Sequence, residues 1–443
     1  MVSPPTLETP ASTSDERTAR KAGIAAALAT SLEWYDFYIY GTAAALVFNE
    51  TYFATDSEVV AAVSSFATVA VGFIARPIGG VVAGHFGDKV GRKPVLVAST
   101  LLMGLATVLI GFVPETSTVW LAPTLLVILR ITQGLAVGGQ WGGAVLLATE
   151  YAPPHRRGFY GSFPQLGIPI GLILGNGIFL VLTWLTSPDA FMAWGWRIPF
   201  WISAVIVLVA MGIHRYLEET PEFQRVEAKM AVNTPRRSPV IQVLRHNFST
   251  VALAAGTYLI GIAMFYLTIT GSIQVATTNL GMSRSDTLWI VLVSAAVLIP
   301  LGPLSAHLSD KYGRKLIYGI GIALMGVWAI PMWLLIAHAG PGTTWPLAVA
   351  LIMSCVAMAF QTGPQPALFA EIFPAELRYS GATLGYQFAA IVGGMSPMVM
   401  VAVINGQVDN IWRIGPVLTL LAVIALASLY ALHLRQARTP SAA

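Results

Sequence analysis

Four ionisable side chains sit inside long apolar runs: Glu33 and Asp36 within residues 23–48, Arg76 within 59–84 and Arg130 within 120–148. An ionisable group at the centre of a bilayer costs at least about 2.5–3.5 kcal/mol, so such residues are functional candidates. Glu33 and Asp36 are spaced i,i+3 and share a helix face that Tyr40 continues. At roughly 1.5 Å per residue, both acids lie about 15–20 Å above the inner end of their helix, and Arg130 about 15 Å below the outer end of its own. All three therefore fall near mid-depth, where a carboxylate can meet the guanidinium. Such a couple suits proton carriage. A neighbouring cation favours the ionised acid and release, while a closed, dry site favours the neutral acid. Asp36 is expected to carry the proton, with Glu33 as alternative or partner. The competing reading is a static ion pair that only holds two helices in register.

Arg76 lies about 12 Å deep in its helix and precedes Pro77, which frees a carbonyl and permits a kink. A guanidinium there suits bidentate capture of a substrate carboxylate, against pairing with a helix-1 acid or snorkelling. Arg130, Gln133, Val137 and Gln140 share a helical stripe that would present a polar strip to a central cavity. Tyr258, Tyr266 and Gln274, with Gln361 and Gln365 beside Pro364 and Pro366, are candidates for a second cavity wall, followed by Tyr386 and Gln387. Arg197 is a candidate entry or binding residue, although Trp194 and Trp196 beside it suit an interfacial anchor.

The elements that position these residues follow from composition. Of 443 residues, 56% are hydrophobic and 10% charged, whereas a soluble domain carries about 25% charged residues. That excludes a soluble enzyme and a nucleic-acid-binding domain. Bilayer-length apolar runs fall near 23–48, 59–84, 95–113, 120–148, 159–186 and 196–216, then near 249–276, 286–308, 316–338, 344–369, 381–404 and 411–434. Twelve transmembrane helices are therefore expected, in an all-α polytopic membrane protein. A polar tail (1–20), a linker (217–247) and a short tail (435–443) flank two six-helix units, 21–216 and 248–434. The great majority of the 25 Lys and Arg fall on the side of both termini, which places the termini in the cytoplasm.

The chain also repeats itself. Gly84-His-Phe-Gly-Asp88-Lys89-Val-Gly91-Arg92-Lys93 returns as Ala306-His-Leu-Ser-Asp310-Lys311-Tyr-Gly313-Arg314-Lys315, and Glu150/Arg157 returns as Glu371/Arg378 at nearly the same offset. Parallel six-helix repeats place substrate between them near the midplane. With these motifs the chain resembles the major facilitator superfamily. The Glu-x6-Arg loops and Glu219-Thr-Pro-Glu222 are similar to its sugar-porter branch. Glu33-Trp-Tyr-Asp36-Phe-Tyr, Ala75-Arg76-Pro77-Ile-Gly79-Gly80, Gly195-Trp-Arg197-Ile-Pro199-Phe and Arg378-Tyr-Ser-Gly381 resemble the metabolite:H+ symporter family, over residues 20–435.

The resemblance implies a monomeric carrier in the cell membrane that imports a small organic acid or zwitterion with protons. Shikimate, proline, betaine, dicarboxylates and citrate are the models for the substrate, and a proton-linked exporter is the alternative. It also implies that Asp36 and Arg130 occupy the coupling positions of the sugar-porter branch. Because Arg130 would be engaged by Asp36, Arg76 alone is left to hold an anion, which favours a monocarboxylate or zwitterion. Gly84, Asp88, Gly91, Arg92, Glu150 and Arg157, with Asp310, Arg314, Glu371 and Arg378, read as an inner gate whose charge clusters lock and break. Solvated turns that enforce topology are the plainer reading. Neither a metal site nor a cofactor is expected, the proton gradient being the energy source, and no nucleophile–base set marks an enzyme. The expected partners are substrate, proton and lipid, with no nucleic acid.

Overall fold

The computed structural model describes residues 13–90, 92–115, 120–138, 140–216, 243, 245, 247–373 and 377–438. Among them the chain runs through twelve long helical passes and forms no strand beyond one isolated bridge, Gly340 to Thr343. The first six are α1 (Thr13–Ala43, continued by a π turn over Ala44–Phe48), α2 (Glu58–Val90), α3 (Arg92–Ile110), α4 (Leu121–Val137, resumed over Gln140–Glu150), α5 (Arg157–Gly161 and Phe163–Leu185) and α6 (Ile198–Tyr216). The second six are α7 (Phe248–Tyr266, with π turns at Leu267–Gly271 and Val275–Asn279), α8 (Arg284–Ala296 and Leu298–Tyr312), α9 (Arg314–Ala337), α10 (Trp345–Thr362 and Gln365–Ile372), α11 (Arg378–Ile404) and α12 (Ile414–Arg438). Nine helices among the described residues are long and apolar enough to cross a membrane. Most of the expected linker, 217–247, lies outside the described residues, as do 1–12 and 439–443.

The same pairings recur in both sets of six. α1 packs on α5 as α7 packs on α11, α2 on α4 as α8 on α10, and α3 on α6 as α9 on α12. The repeated loops therefore mark a repeated packing scheme. Between the sets, α2 lies along α11 and α5 along α8.

Helix breaks follow the residues. Gly313 between α8 and α9 has φ +98°, a backbone that costs an L side chain strain and a glycine nothing. α10 breaks at Gly363 and Pro364, where a proline cannot donate to the helix ladder. Large apolar residues face outward all around the bundle, Val327 and Leu185 being three-quarters exposed. Polar and charged side chains such as Asp36, Arg76, Arg130, Gln361 and Gln387 are buried. That inversion is what a lipid solvent demands.

Candidate functional site

The approach of α2 and α4 creates the centre of the molecule. A Cβ at Gly134 would strike the Gly72 carbonyl, and one at Gly138 the Arg76 carbonyl, so the two backbones touch through glycines. A Cβ at Gly72 would stand 2.7 Å from Arg130 Nε. The bare glycine lets the Arg130 side chain lie flat across α2 and reach the aromatic face of α1.

There the two arginines share a ring. Arg76 Cζ is 3.9 Å from the centroid of Phe37 and Arg130 Cζ 4.4 Å. Phe73 lies 4.2 Å from the first and 6.0 Å from the second. Trp34 backs Arg76 at 5.9 Å, and Tyr40 backs Arg130 at 4.3 Å while its hydroxyl donates to Thr68 Oγ1 at 2.6 Å. Contacts of this kind contribute up to about 2 kcal/mol when desolvated. Because both guanidiniums touch Phe37, they lie within roughly 8 Å of each other, where two cations repel by about 2 kcal/mol at an effective dielectric of 20. Each also leaves Nε and Nη2 buried without a hydrogen-bond partner. A buried charged donor left unmade costs about 1–3 kcal/mol or more. Two buried cations with four idle donor atoms have the chemistry to hold an anion.

The acids stand beside them without closing on them. Asp36 Oδ1 accepts from Ser203 Oγ of α6 at 2.8 Å, and Thr107 of α3 also faces the carboxyl. Arg130 Nη1 donates to Gln133 Oε1 at 2.9 Å, and Gln133 Nε2 donates to Thr107 Oγ1 at 2.6 Å. Asp36 and Arg130 thus act on each other electrostatically without an ion pair in this conformation, the acid held by hydroxyls and the guanidinium by Gln133. Gln133, expected to line the cavity, props Arg130 from one turn along α4. Glu33 is half-buried, makes no hydrogen bond or ion pair among the described residues, and lies within electrostatic reach of Arg76. Gln140 is half-buried where α4 resumes.

The second six helices close over this cluster. Tyr266 of α7 sets its ring edge-on to Phe73 at 5.0 Å, within electrostatic reach of both guanidiniums and Glu33, with its hydroxyl unpartnered. Tyr386 of α11 stacks on Trp141 of α4 at 4.1 Å and on Tyr258 of α7 at 5.4 Å. The hydroxyl of Tyr38 is likewise idle. Gln361 Nε2 donates to the Thr257 carbonyl at 3.0 Å, and Gln365 Oε1 accepts from Gln165 Nε2 of α5 at 2.9 Å. Trp34, Gln165 and Tyr258 are among the walls of a cavity of about 20 Å³, room for a single water.

Phe37, Phe73, Trp141, Gln165, Ser203 and Thr107 were not singled out by sequence as site residues. Phe37 and Phe73 carry a readable sign: each lies three residues before a polar site residue, Tyr40 or Arg76, on the same helix face.

Arg197 stands at the junction of α3 and α6. Its Nη1 donates to the Gly111 and Val113 carbonyls at 3.2 and 2.6 Å, its Nη2 pairs with Glu115 at 3.1 Å, and its Cζ lies 4.4 Å from the Trp196 ring. It straps the start of α6 to the end of α3, and these bonds do not reach the central arginines.

Contacts between the two sets of six join both ends of the bundle. At the end bearing the repeated loops, Asp310 accepts from the Gly158 and Phe159 main-chain amides of α5, at 2.9 and 3.0 Å. Arg314 holds Asp310 at 3.3 Å and Glu371 at 2.9 Å. Arg157 is exposed and Arg378 half-buried; both act on Glu371 at longer range. The side chains of Asp88, Arg92 and Glu150, the surroundings of Gly84, and Gly91 as a whole lie outside what the structure describes. At the other end Arg284 pairs with Glu50 at 3.5 Å and donates to the Leu46 carbonyl, in the π turn of α1, at 3.4 Å. Trp184 Nε1 donates to Ser285 Oγ at 2.6 Å. With both ends bridged, the cluster is enclosed.

Known proteins share this organisation. Residues 22–240 match the family described as sugar (and other) transporter, and residues 253–443 that described as major facilitator superfamily. The inner membrane metabolite transport protein YhjE of Escherichia coli K12 is 40% identical over 84% of this chain and 85% of its own length. The shikimate transporter of the same strain is 37% identical over 95% of each chain. Its proline/betaine transporter is 29% identical over 93% of this chain and 83% of its own. The xylose transporter XylE from E. coli, solved in a partially occluded inward open conformation, superposes with a TM-score of 0.72 at 20% identity, covering 94% of this chain and 98% of that one.

Proposed function

Since the chain belongs to the major facilitator superfamily, among its metabolite transport proteins, we propose that it imports a small organic acid together with protons by alternating access. It is a transporter and not an enzyme. The observation that carries the substrate reading is the pair of buried guanidiniums with idle donors beside two carboxylates. An anion drawn between the six-helix sets satisfies those donors and cancels the repulsion between the cations. Arg76 anchors a carboxylate, and Asp36, held by Ser203 beside Arg130, carries the coupled proton.

Tyr266, reaching across from α7 to both arginines and Glu33, reports occupancy of the anion site to the second six helices. Asp310 and Arg284 then release in alternation, opening one end at a time. The positive bias of the repeated-loop side supports a cell-membrane carrier with both termini in the cytoplasm.

The test is the external pH of a lightly buffered suspension of de-energised cells expressing the chain. Shikimate, proline, betaine, succinate, 2-oxoglutarate and citrate are added in turn. Alkalinisation on adding an acid, absent in Asp36→Asn cells, is the expected result. Silence across the panel with the protein present in the membrane would sink the uptake reading and favour export.

A further inference from the structure

Resting on that reading, we infer that the substrate is a small dicarboxylate, one carboxylate on Arg76 and the other on Arg130, with one proton entering for each. Nε and Nη2 together form the side-on edge of a guanidinium, the fork that takes both oxygens of a carboxylate. In both arginines it is this edge, and not a scattered pair of nitrogens, that is buried and unpartnered. Two complete forks on one phenyl ring call for two carboxylates, and because the guanidinium carbons lie within roughly 8 Å of each other, a short four- or five-carbon diacid is the kind that can bend to meet both.

The expectation of a monocarboxylate or zwitterion depended on Asp36 occupying Arg130. The structure gives Asp36 to Ser203 instead. A quaternary ammonium is disfavoured as well, because the aromatic faces that would cage it, Trp34, Phe37 and Phe73, are already covered by Arg76.

Charge balance sets the protons. Glu33 and Asp36 neutralise the two arginines while the site is empty, so each incoming carboxylate leaves one acid without its counter-charge in an enclosed space. Glu33 is faced by Arg76, Tyr266, Tyr386 and Asp36; Asp36 is faced by Arg130, Glu33, Ser203, Thr107 and Tyr35. No further cation stands among these groups to absorb the added charge. A proton on each acid restores neutrality, and a dianion enters with two protons and no net charge.

The experiment uses the purified full chain in liposomes, with the membrane potential clamped at zero and a one-unit pH gradient, acid outside. Labelled succinate, glutarate, shikimate and glycine betaine are the probes. Two protons per diacid hold an accumulation of about 100-fold, against about 10-fold for one. Succinate or glutarate is expected to reach the higher figure and to displace shikimate at concentrations at least about tenfold lower than the reverse.

Arg130→Lys keeps the charge and loses the fork, and should weaken succinate at least about tenfold more than shikimate in the same competition assay. Shikimate or betaine competing as well as the diacids, or a 10-fold ceiling for succinate, would overturn the inference and leave proton-coupled uptake standing. Failure of every acid to accumulate would instead strike at the transport reading on which the inference rests. The competition order and the accumulation ratio of the unaltered chain decide the matter even if the variant does not fold.

Discussion

Phe37 holds two cations on one ring, and its own substitution isolates that contribution. Phe37→Leu keeps an apolar side chain of similar reach but removes the ring quadrupole, worth roughly 1–2 kcal/mol for desolvated cations. The expected result is a rise of about tenfold in apparent KM for the transported acid, with the amount of protein in the membrane unchanged. Asp36→Asn tests a different property. Accumulation driven by a pH gradient should vanish while exchange of labelled for unlabelled substrate continues; unchanged accumulation would remove Asp36 from the coupling role. Arg197→Ala should leave KM unaltered and lower thermal stability, because its bonds bind α6 to α3 and reach no central residue.

Sequence made the arginines and acids legible through their improbable charge in apolar runs. It did not make their partners legible. Ser203 and Thr107 are ordinary small hydroxyls on their own helices, and only the rotation of α3 and α6 about their axes brings them to Asp36.

At the scale of elements, α5 meets α8 through a contact that admits almost no bulk. A Cβ at Gly158 would stand 2.6 Å from Asp310 Oδ1 and 2.9 Å from the Ala306 carbonyl. Gly158→Ala should therefore prise this end open, and Asp310→Asn should weaken the same contact by removing its charge. In both variants, spin labels on the loop-bearing ends of α5 and α8 should show a longer distance distribution than in the unaltered chain. A distribution that does not move would mean that this contact does not hold the end closed. The repeated loops flagged Asp310, Arg314 and Glu371 as a group from sequence alone, and Arg314 does bridge the other two. That the group reaches across to α5 was not legible, since the donors Asp310 accepts from are bare main-chain amides that no side-chain pattern announces.

For the molecule as a whole, the order of helices was readable because a lipid environment forces long apolar runs and a duplication at near-constant offset fixes their grouping. The breaks were partly readable: the prolines of α10 announced one, while the π turns of α1 and α7 had no signal in residue type. Those turns lie near the end where Arg284 takes the Leu46 carbonyl. Arg284→Ala should loosen that end, raising the reactivity of a cysteine placed at Tyr266 toward a membrane-impermeant thiol reagent from outside. The two ends would then respond oppositely to Gly158→Ala and Arg284→Ala, and unequal effects would measure which closure is the stronger.

The latch at Asp310 has a consequence for how such a molecule can vary by descent. Its donors on α5 are peptide groups, which every coding change short of proline leaves in place. One side of the contact is thus sheltered from loss by substitution and vulnerable only to added bulk at Gly158. The other side consists of three side chains, any of which a point mutation can erase. Heritable adjustment of this closure should therefore accumulate at Asp310, Arg314 and Glu371, and second-site revertants of a defective α5 should map to the far side of the seam.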